Sequence, residues 1–316
     1  MLKKLLTIFW WGLCSTLLLL TLSGYFARWF ALAEFAVSFR PFYLWVAIPL
    51  VAAGLLFKQH DSLLLLLLCI ILNGGEILPY YIPETKGKIY TTTILVYNVD
   101  KIRMPQVGVA EVATLVDEAD ADIVVLREVG TQPAKDLLNR FSSDYIYSFS
   151  HQHEERDGVL ILSRYPISNA KMIDMGTWRP AAVMNLSIED ELVHLVAPHP
   201  ANPFHEFEER NRYLDGLTSY LEKFGTDSHL IVAGDLNVTM WSSMYKQIEK
   251  TGIRNTRLGH GILPTWRVPG FGFEVPFIYF PLDHVLISDE IYIFSTETLP
   301  SPGSDHQPIL TRLWIS

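Results

Sequence analysis

Hydrophobic positions in this chain fall into two regimes. Up to about residue 83 they come in long unbroken runs: residues 5–27 and 41–57 carry no charge, and a third run, 62–75, continues past Glu76 to Tyr80 and Tyr81. Beyond about residue 90 the apolar stretches shorten to strand length and alternate with segments whose apolar residues recur every three or four positions. A bilayer core of ~30 Å takes about 20 apolar residues per helix, and about 17 at the short end. The first two runs meet that length; the third does so with Glu76 at the headgroup edge and Tyr80 and Tyr81 as interfacial aromatics. The first run is too long for a cleaved signal peptide behind Met1-Leu2-Lys3-Lys4, and more apolar sequence follows it at once. The pattern predicts a membrane anchor over residues 1–83 with three helices (about 5–27, 41–57 and 62–82), a linker at 84–90, and a separately folded domain over 91–316.

In the second regime, residues 91–98 read as a buried β-branched strand ending at Asn98. Helical spacing follows over 105–119, carried by Val109, Val112, Leu115 and Val116. Further strands are predicted at 122–126, 158–163, 230–233, 283–287 and 306–314, and a hairpin at 181–188 and 192–197 turning on Glu189-Asp190-Glu191. Helices are predicted at 131–141, from about 206 through Phe224, and at 242–250, whereas 251–281 shows no regular pattern. Strands and helices alternate, but the central hairpin excludes a purely parallel sheet. The expected architecture is an α/β (α+β) sandwich of mixed sheets covered by helices.

Charge separates the same two parts. Of the 25 Lys/Arg and 34 Asp/Glu, residues 1–89 hold seven and four, which leaves 18 and 30 in 90–316, a net of −12. So acidic a domain is a poor non-specific partner for a phosphate backbone. Lys3, Lys4 and Lys58 favour a cytoplasmic N-terminus, against Arg28, Arg40, Lys86 and Lys88 on the other side. Three crossings then place the domain on the extracytoplasmic face of an inner or plasma membrane. Cys14 and Cys69 both lie in the apolar runs, so residues 90–316 offer no disulfide and no thiolate metal site.

The candidate chemistry sits where strands end. Asn98, Glu128, His199, Asp235, Asn237 and His306 each follow or adjoin a strand end, Asp283 opens a strand, and Asp305 precedes His306. Any one of them has an ordinary explanation as a turn or capping residue. Several strand ends carrying carboxylate, amide and imidazole groups point to one converged pocket. The pair His151 and His153, among Glu154, Glu155 and Arg156, reads as a solvated loop, and His194 as structural. Trp266, Phe271, Phe273, Phe277 and Tyr279 read as loop packing, with a substrate wall or membrane-facing lip as the other possibility.

Six motifs occur in one order: Tyr97-Asn98-Val99, Leu126-Arg127-Glu128, Ile161-Leu162-Ser163-Arg164-Tyr165-Pro166-Ile167, Gly234-Asp235-Leu236-Asn237, Leu282-Asp283-His284-Val285 and Gly303-Ser304-Asp305-His306-Gln307-Pro308. Over about 90–316 the chain resembles the endonuclease/exonuclease/phosphatase superfamily, in its deoxyribonuclease-like and sphingomyelinase-like branches, as a membrane-anchored member of bacterial type. That resemblance implies a four-layer sandwich of two β-sheets flanked by helices, and divalent-metal hydrolysis of phosphoesters. It implies Glu128 as principal ligand of Mg²⁺ or Mn²⁺, with Asn98 and Asp305 nearby. His306, held by Asp283, would activate the attacking water. Asp235 and Asn237 would position that water and the phosphoryl oxygens. His199 matches the second histidine of those two branches, beside a phosphate oxygen or the leaving group, and Arg179 is a candidate phosphate contact. Arg127 stands where the family usually has Gln, with its side chain expected on the other face of the strand. The expected partners are a lipid bilayer and a phosphodiester substrate, either nucleic acid or a phospholipid headgroup. A catalytically silent binding module would lack some member of this set, and none is missing. A transporter would need ionisable groups deep in the helices.

Overall fold

The computed structural model describes residues 1–83, 89–100, 108–153, 157–225, 228–268 and 278–315. The first part is helical: α1 (Leu2–Leu22), α2 (Ala31–Ser38), α3 (Arg40–Leu56) and α4 (Leu63–Ile77). Two helical stretches, Leu2–Phe26 and His60–Tyr81, are each long and apolar enough to cross a membrane. The middle run qualifies only when α2 and α3 are taken together, and they meet at a bend of 65°. Polar ties join the bundle: Trp10 Nε1 donates to Ser62 Oγ at 2.9 Å and Asn73 Nδ2 to Thr21 Oγ1 at 2.9 Å. Most of the expected linker, 84–88, lies outside the described residues.

The remainder contains β1 (Thr92–Asn98), α5 (Val109–Ala119), β2 (Ile123–Arg127), α6 (Thr131–Arg140), β3 (Tyr147–His153), β4 (Asp157–Ser163), β5 (Ile167–Asp174), β6 (Pro180–Ile188) and β7 (Glu191–Ala197). It continues with α7 (Phe207–Leu221), β8 (Leu230–Asp235), α8 (Ser243–Glu249), β9 (Ile253–Asn255), β10 (Trp266–Arg267), β11 (Tyr279–Phe280), β12 (Asp283–Ser288), β13 (Ile291–Thr298) and β14 (Ile309–Ile315). Two mixed six-stranded sheets form, in the orders β13-β14-β1-β2-β4-β3 and β5-β6-β7-β8-β12-β9, beside a small β10-β11 ribbon. The alternation hidden in the apolar strands sorts side chains between layers. Ile94, Val96, Ile123 and Val125 face Met184, Leu195, Ile231 and Val285 between the sheets. Leu95, Tyr97, Val124 and Leu126 point the other way, onto Val112, Val116 and Leu137 of α5 and α6. On the far side, α7 lays Leu214, Leu217 and Leu221 on Val183, Val196 and Val232. Truncating a buried leucine such as Leu217 to alanine costs about 2–5 kcal/mol at sites of this kind. The result is the expected four-layer sandwich.

Several expectations need correcting. His151 and His153 lie in β3, paired along β4 from Tyr147↔Ser163 to His153↔Asp157, and not in a loop. The segment 251–281 holds three short strands, β9, β10 and β11. The last strand begins at Ile309 instead of residue 306, because Pro308 has no N–H to give the ladder. Phe271, Phe273 and Phe277, and the start of the expected helix at 105–107, lie outside the described residues.

The N-terminal helices do not hang from the sandwich by a tether alone. Ala27, Val37, Ile77 and Tyr80 join the same buried cluster as α7 and α8. Tyr80 is therefore a core residue, while Tyr81 stays exposed. Glu76 reaches Lys246 on α8 at 3.2 Å. Arg28 pairs with Asp215 at 2.8 Å, and Glu34 of α2 meets the buried Arg210 at 2.9 Å.

Candidate active site

The strand registers bring the chemistry to one edge of the sandwich. In the parallel pair β1/β2, Asn98 stands opposite Arg127, so Glu128 is the first residue beyond that edge. In the antiparallel pair β8/β12, Asp235 stands opposite Asp283. β14 runs antiparallel to β1 with Ile309 opposite Val96, which returns the loop carrying Asp305 and His306 to the same end.

Local backbone demands shape each motif. A Cβ at Gly234 would lie 2.4 Å from the carbonyl oxygen of Pro198, so only glycine lets β8 pass the turn before His199. Asn237 is left-handed (φ +48), and its N–H donates to Asp235 Oδ1 at 2.8 Å, an Asx-type turn. Glu128 is also left-handed (φ +57), a costly conformation for a residue of its kind that is retained where the site needs it. Ser304 Oγ donates to the Asn98 carbonyl at 2.8 Å and accepts from the His306 N–H at 3.0 Å. Trp266 Nε1 donates to Asp305 Oδ2 at 3.1 Å, and the Arg267 N–H donates to the Asp305 carbonyl at 2.9 Å.

Asn98 Nδ2 bridges two carboxylates, Glu128 Oε1 at 3.0 Å and Asp235 Oδ2 at 3.1 Å. His199 Nε2 lies 3.3 Å from Glu128 Oε1 and 3.8 Å from Asp235 Oδ2. His306 Nδ1 contacts Asp283 Oδ2 at 2.7 Å, and its Nε2 lies 3.8 Å from Asp235 Oδ2. Burial would raise the pKa of Glu128, yet the hydrogen bond and charge of His199, with Asn98 and His306, outweigh it and hold that carboxyl at about 2. Burial likewise opposes charge on His306, but Asp283 at hydrogen-bond distance, with Asp235 and Asp305, raises its pKa to about 10. Asp283 is lowered by the same pairing, whereas Asp235 is raised by burial and by Asp283. The neighbouring His284 moves the other way: burial, then the charge of Arg257, bring it down to about 3. It contacts Val238 O at 2.8 Å and serves the core.

One pocket of about 430 Å³ is lined by Glu128, Arg179, His199, Asp235, Asn237, Asp305 and His306 together. Asn98 and Asp283 join it through the contacts above. Arg179 lies over the Trp178 ring at 4.4 Å, and its Nε has no hydrogen-bond partner among the described residues. Arg127 is fully buried and is not a wall of this pocket. Asp100, Asn202 and His205 also line it and were not singled out from sequence; each is a lone polar residue in a loop, without spacing to mark it. Trp266 is a wall of the pocket. His194 is bound by Asn185 and Tyr220, as a structural histidine.

The donor set suits a hard divalent cation. Glu128 and Asp305 line the pocket with carboxylate oxygens, and oxygen donors select Mg²⁺ or Mn²⁺ over softer ions; Asn98, expected beside them, turns its Nδ2 to Glu128 and Asp235 and accepts the Asp100 N–H at its Oδ1. Asp235, Asp283 and His306 also place one potential ligand atom each within 4.8 Å of one another. In that trio, however, Nδ1 of His306 is engaged by Asp283, the arrangement of an oriented base.

No curated protein sequence matches the chain. Its fold resembles that of Danio rerio TDP2, solved in complex with a single-strand DNA product: TM-score 0.61 at 16% identity over 70% of this chain and 98% of that one. An endonuclease/exonuclease/phosphatase from Beutenbergia cavernae gives 0.59 at 16% over 72% of each chain. A Bacteroides thetaiotaomicron family protein gives 0.57 at 14% over 71% of this chain and 98% of that one. At these identities the likeness is one of fold. The sequence profile of the endonuclease/exonuclease/phosphatase family matches residues 95–306, which take in every pocket residue from Asn98 to His306, and the chain belongs to that family.

Proposed function

We propose that the chain is a membrane-anchored phosphodiesterase that uses Mg²⁺ or Mn²⁺ to hydrolyse a phosphodiester by in-line attack of water. The observation that carries this reading is the Asp283–His306 contact of 2.7 Å facing the pocket that Glu128 and Asp305 share. Asp283 holds Nδ1 and turns Nε2 to the pocket; with a divalent cation bound beside it the raised His306 pKa would be pulled back down, and Nε2 would then take a proton from the attacking water. Asp235, 3.8 Å from that nitrogen, accepts a second hydrogen bond from the same water. Asn237 uses one amide hydrogen on Pro200 O at 3.1 Å and has another for a phosphoryl oxygen. Arg179 and His199 flank the phosphate, the former as a fixed positive charge, the latter beside the leaving group. Glu128 and Asp305, with Asn98 beside them, would hold the cation, which would supply charge neutralisation at the phosphoryl oxygens and a lower pKa for water.

The apolar helices and the placement of Lys3, Lys4 and Lys58 support an integral membrane protein with the sandwich on the extracytoplasmic face. A C-terminal reporter active only outside the cytoplasm is the expected outcome for that orientation. For the chemistry, full-length protein in detergent should hydrolyse bis(p-nitrophenyl) phosphate with Mg²⁺ or Mn²⁺, and chelation should abolish turnover reversibly. Absence of turnover with any divalent cation overturns the reading.

A further inference from the structure

A second cavity, of about 210 Å³, lies between α2 and the catalytic end of the sandwich. Leu32 and Phe35 of α2 form one wall, and Phe204, Phe280 and Leu282 form the other. It shares three residues with the catalytic pocket: Asn202, Asn237 and Trp266. Trp266 separates the two chemistries. Its Nε1 faces Asp305, while its ring lies 6.4 Å from Phe204 and 6.1 Å from Phe280. The aromatic contacts continue onto the anchor, with Phe35 edge-on to Phe204 at 5.4 Å and Phe39 edge-on to Phe280 at 5.0 Å.

We propose that this cavity seats a hydrocarbon chain of a membrane phospholipid whose phosphodiester occupies the catalytic pocket, an assignment that rests on the phosphodiesterase reading and narrows its substrate to a lipid. A polar site sharing a wall with a largely apolar one matches an amphiphile, whose phosphodiester takes the first and whose hydrocarbon chain takes the second. The apolar wall is built by α2, which follows the candidate span Leu2–Phe26 and forms a bent pair with α3, so in the membrane-anchored reading the recess opens near the bilayer. Leu32 is 83% exposed and Phe204 54% exposed, apolar side chains that a lipid can meet on its way in. The net of −12 over 90–316 disfavours a polyanionic strand and leaves a lone phosphodiester acceptable. In the reaction, the water oxygen bonds to phosphorus, one ester P–O bond breaks, and the displaced oxygen takes a proton. The products are one alcohol and one phosphomonoester.

The test uses full-length protein with Mg²⁺ on three probes: vesicles of phosphatidylglycerol and phosphatidylcholine, single-stranded DNA, and bis(p-nitrophenyl) phosphate. Release of diacylglycerol or phosphatidate from the vesicles is the expected result. Ala31→Trp, which blocks the recess, and Leu32→Glu, which puts a charge in the path of the chain, should each lower the vesicle-to-soluble rate ratio at least tenfold. An unchanged ratio overturns the assignment. Cleavage of DNA and soluble diester with intact vesicles overturns the lipid assignment alone, whereas no turnover of any probe overturns the phosphodiesterase reading beneath it. Independently of turnover and of any variant's folding, a phospholipid with a photoreactive acyl chain should label peptides containing Phe204 or Phe280. Labelling confined to α1, α3 and α4 contradicts the proposal.

Discussion

Two regions of this molecule gather charge, and they do so with opposite bookkeeping. At the seam between the N-terminal helices and the sandwich every acid has a base within reach: Glu34 has Arg210, Asp215 has Arg28, and Lys246 serves both Glu76 and Glu249. At the catalytic end Glu128, Asp235, Asp283 and Asp305 share two histidines, with Arg179 on the pocket wall. The first arrangement is complete and structural. The second gathers more carboxylates than bases, and the proposed function places its cation there. The same side chains thus serve cohesion in one place and binding in the other, and local charge balance distinguishes them.

The largest expected effect lies on the catalytic side. His306→Asn removes the general base and should lower phosphodiester turnover about 10²–10⁴-fold, with the unfolding temperature kept near that of wild type. Asp283→Asn leaves the imidazole in place without its orienting carboxylate, so it should lose less turnover and shift the pH–rate profile.

At the seam, the result should be read in stability. Glu34→Ala strands Arg210, which is fully buried, and should cost about 3–5 kcal/mol. Replacing both partners by methionine should recover most of that loss, since a buried pair often contributes little beyond its apolar equivalent. Because Arg210 Nη1 also donates to the Asn237 carbonyl at 3.3 Å, Glu34→Ala should lower turnover as well, through the position of Asn237.

A smaller effect separates the two neighbouring histidines. His284 titrates near 3 when folded, against about 6.5 unfolded. Its folded pKa is depressed, so stability is fully present above about 6.5 and falls as pH drops toward 3, by up to about 1.4 kcal/mol per unit. Denaturant midpoints at pH 7.5 and 5.5 should therefore differ less in His284→Gln than in wild type. The smallest effect is at Arg28 and Asp215, whose side chains are 35% and 40% exposed. Arg28→Ala should change stability through this ion pair by no more than about 1 kcal/mol.

The two regions also differ in how far the sequence reveals them. The catalytic end announces itself because chemistry fixes residue types at strand ends: Gly234-Asp235-Leu236-Asn237 and Ser304-Asp305-His306 can be read before any fold is known. The seam has no such signature. Glu34 and Arg210 are far apart in the chain, and nothing near either one names its partner. Strands divide in the same way. The eight internal strands of the two six-stranded sheets read as apolar runs, whereas the four edge strands β3, β5, β9 and β13 carry no such signal. Edge strands expose one face and carry polar residues, and β5 and β13 also contain register shifts at Ser168/Lys171 and Ile293/Ser295, which break a period-two pattern. Tyr80 misleads for a related reason: an aromatic at the end of an apolar run looks like a membrane anchor until the sandwich that covers it is folded.

The most direct test of the account is the rate of Mg²⁺-supported hydrolysis of bis(p-nitrophenyl) phosphate by the full-length protein, wild type against Glu128→Gln. The account predicts that the substitution, which keeps the shape of the side chain and removes its charge, lowers the rate at least a hundredfold while the protein stays folded. Wild-type turnover in that variant would contradict it.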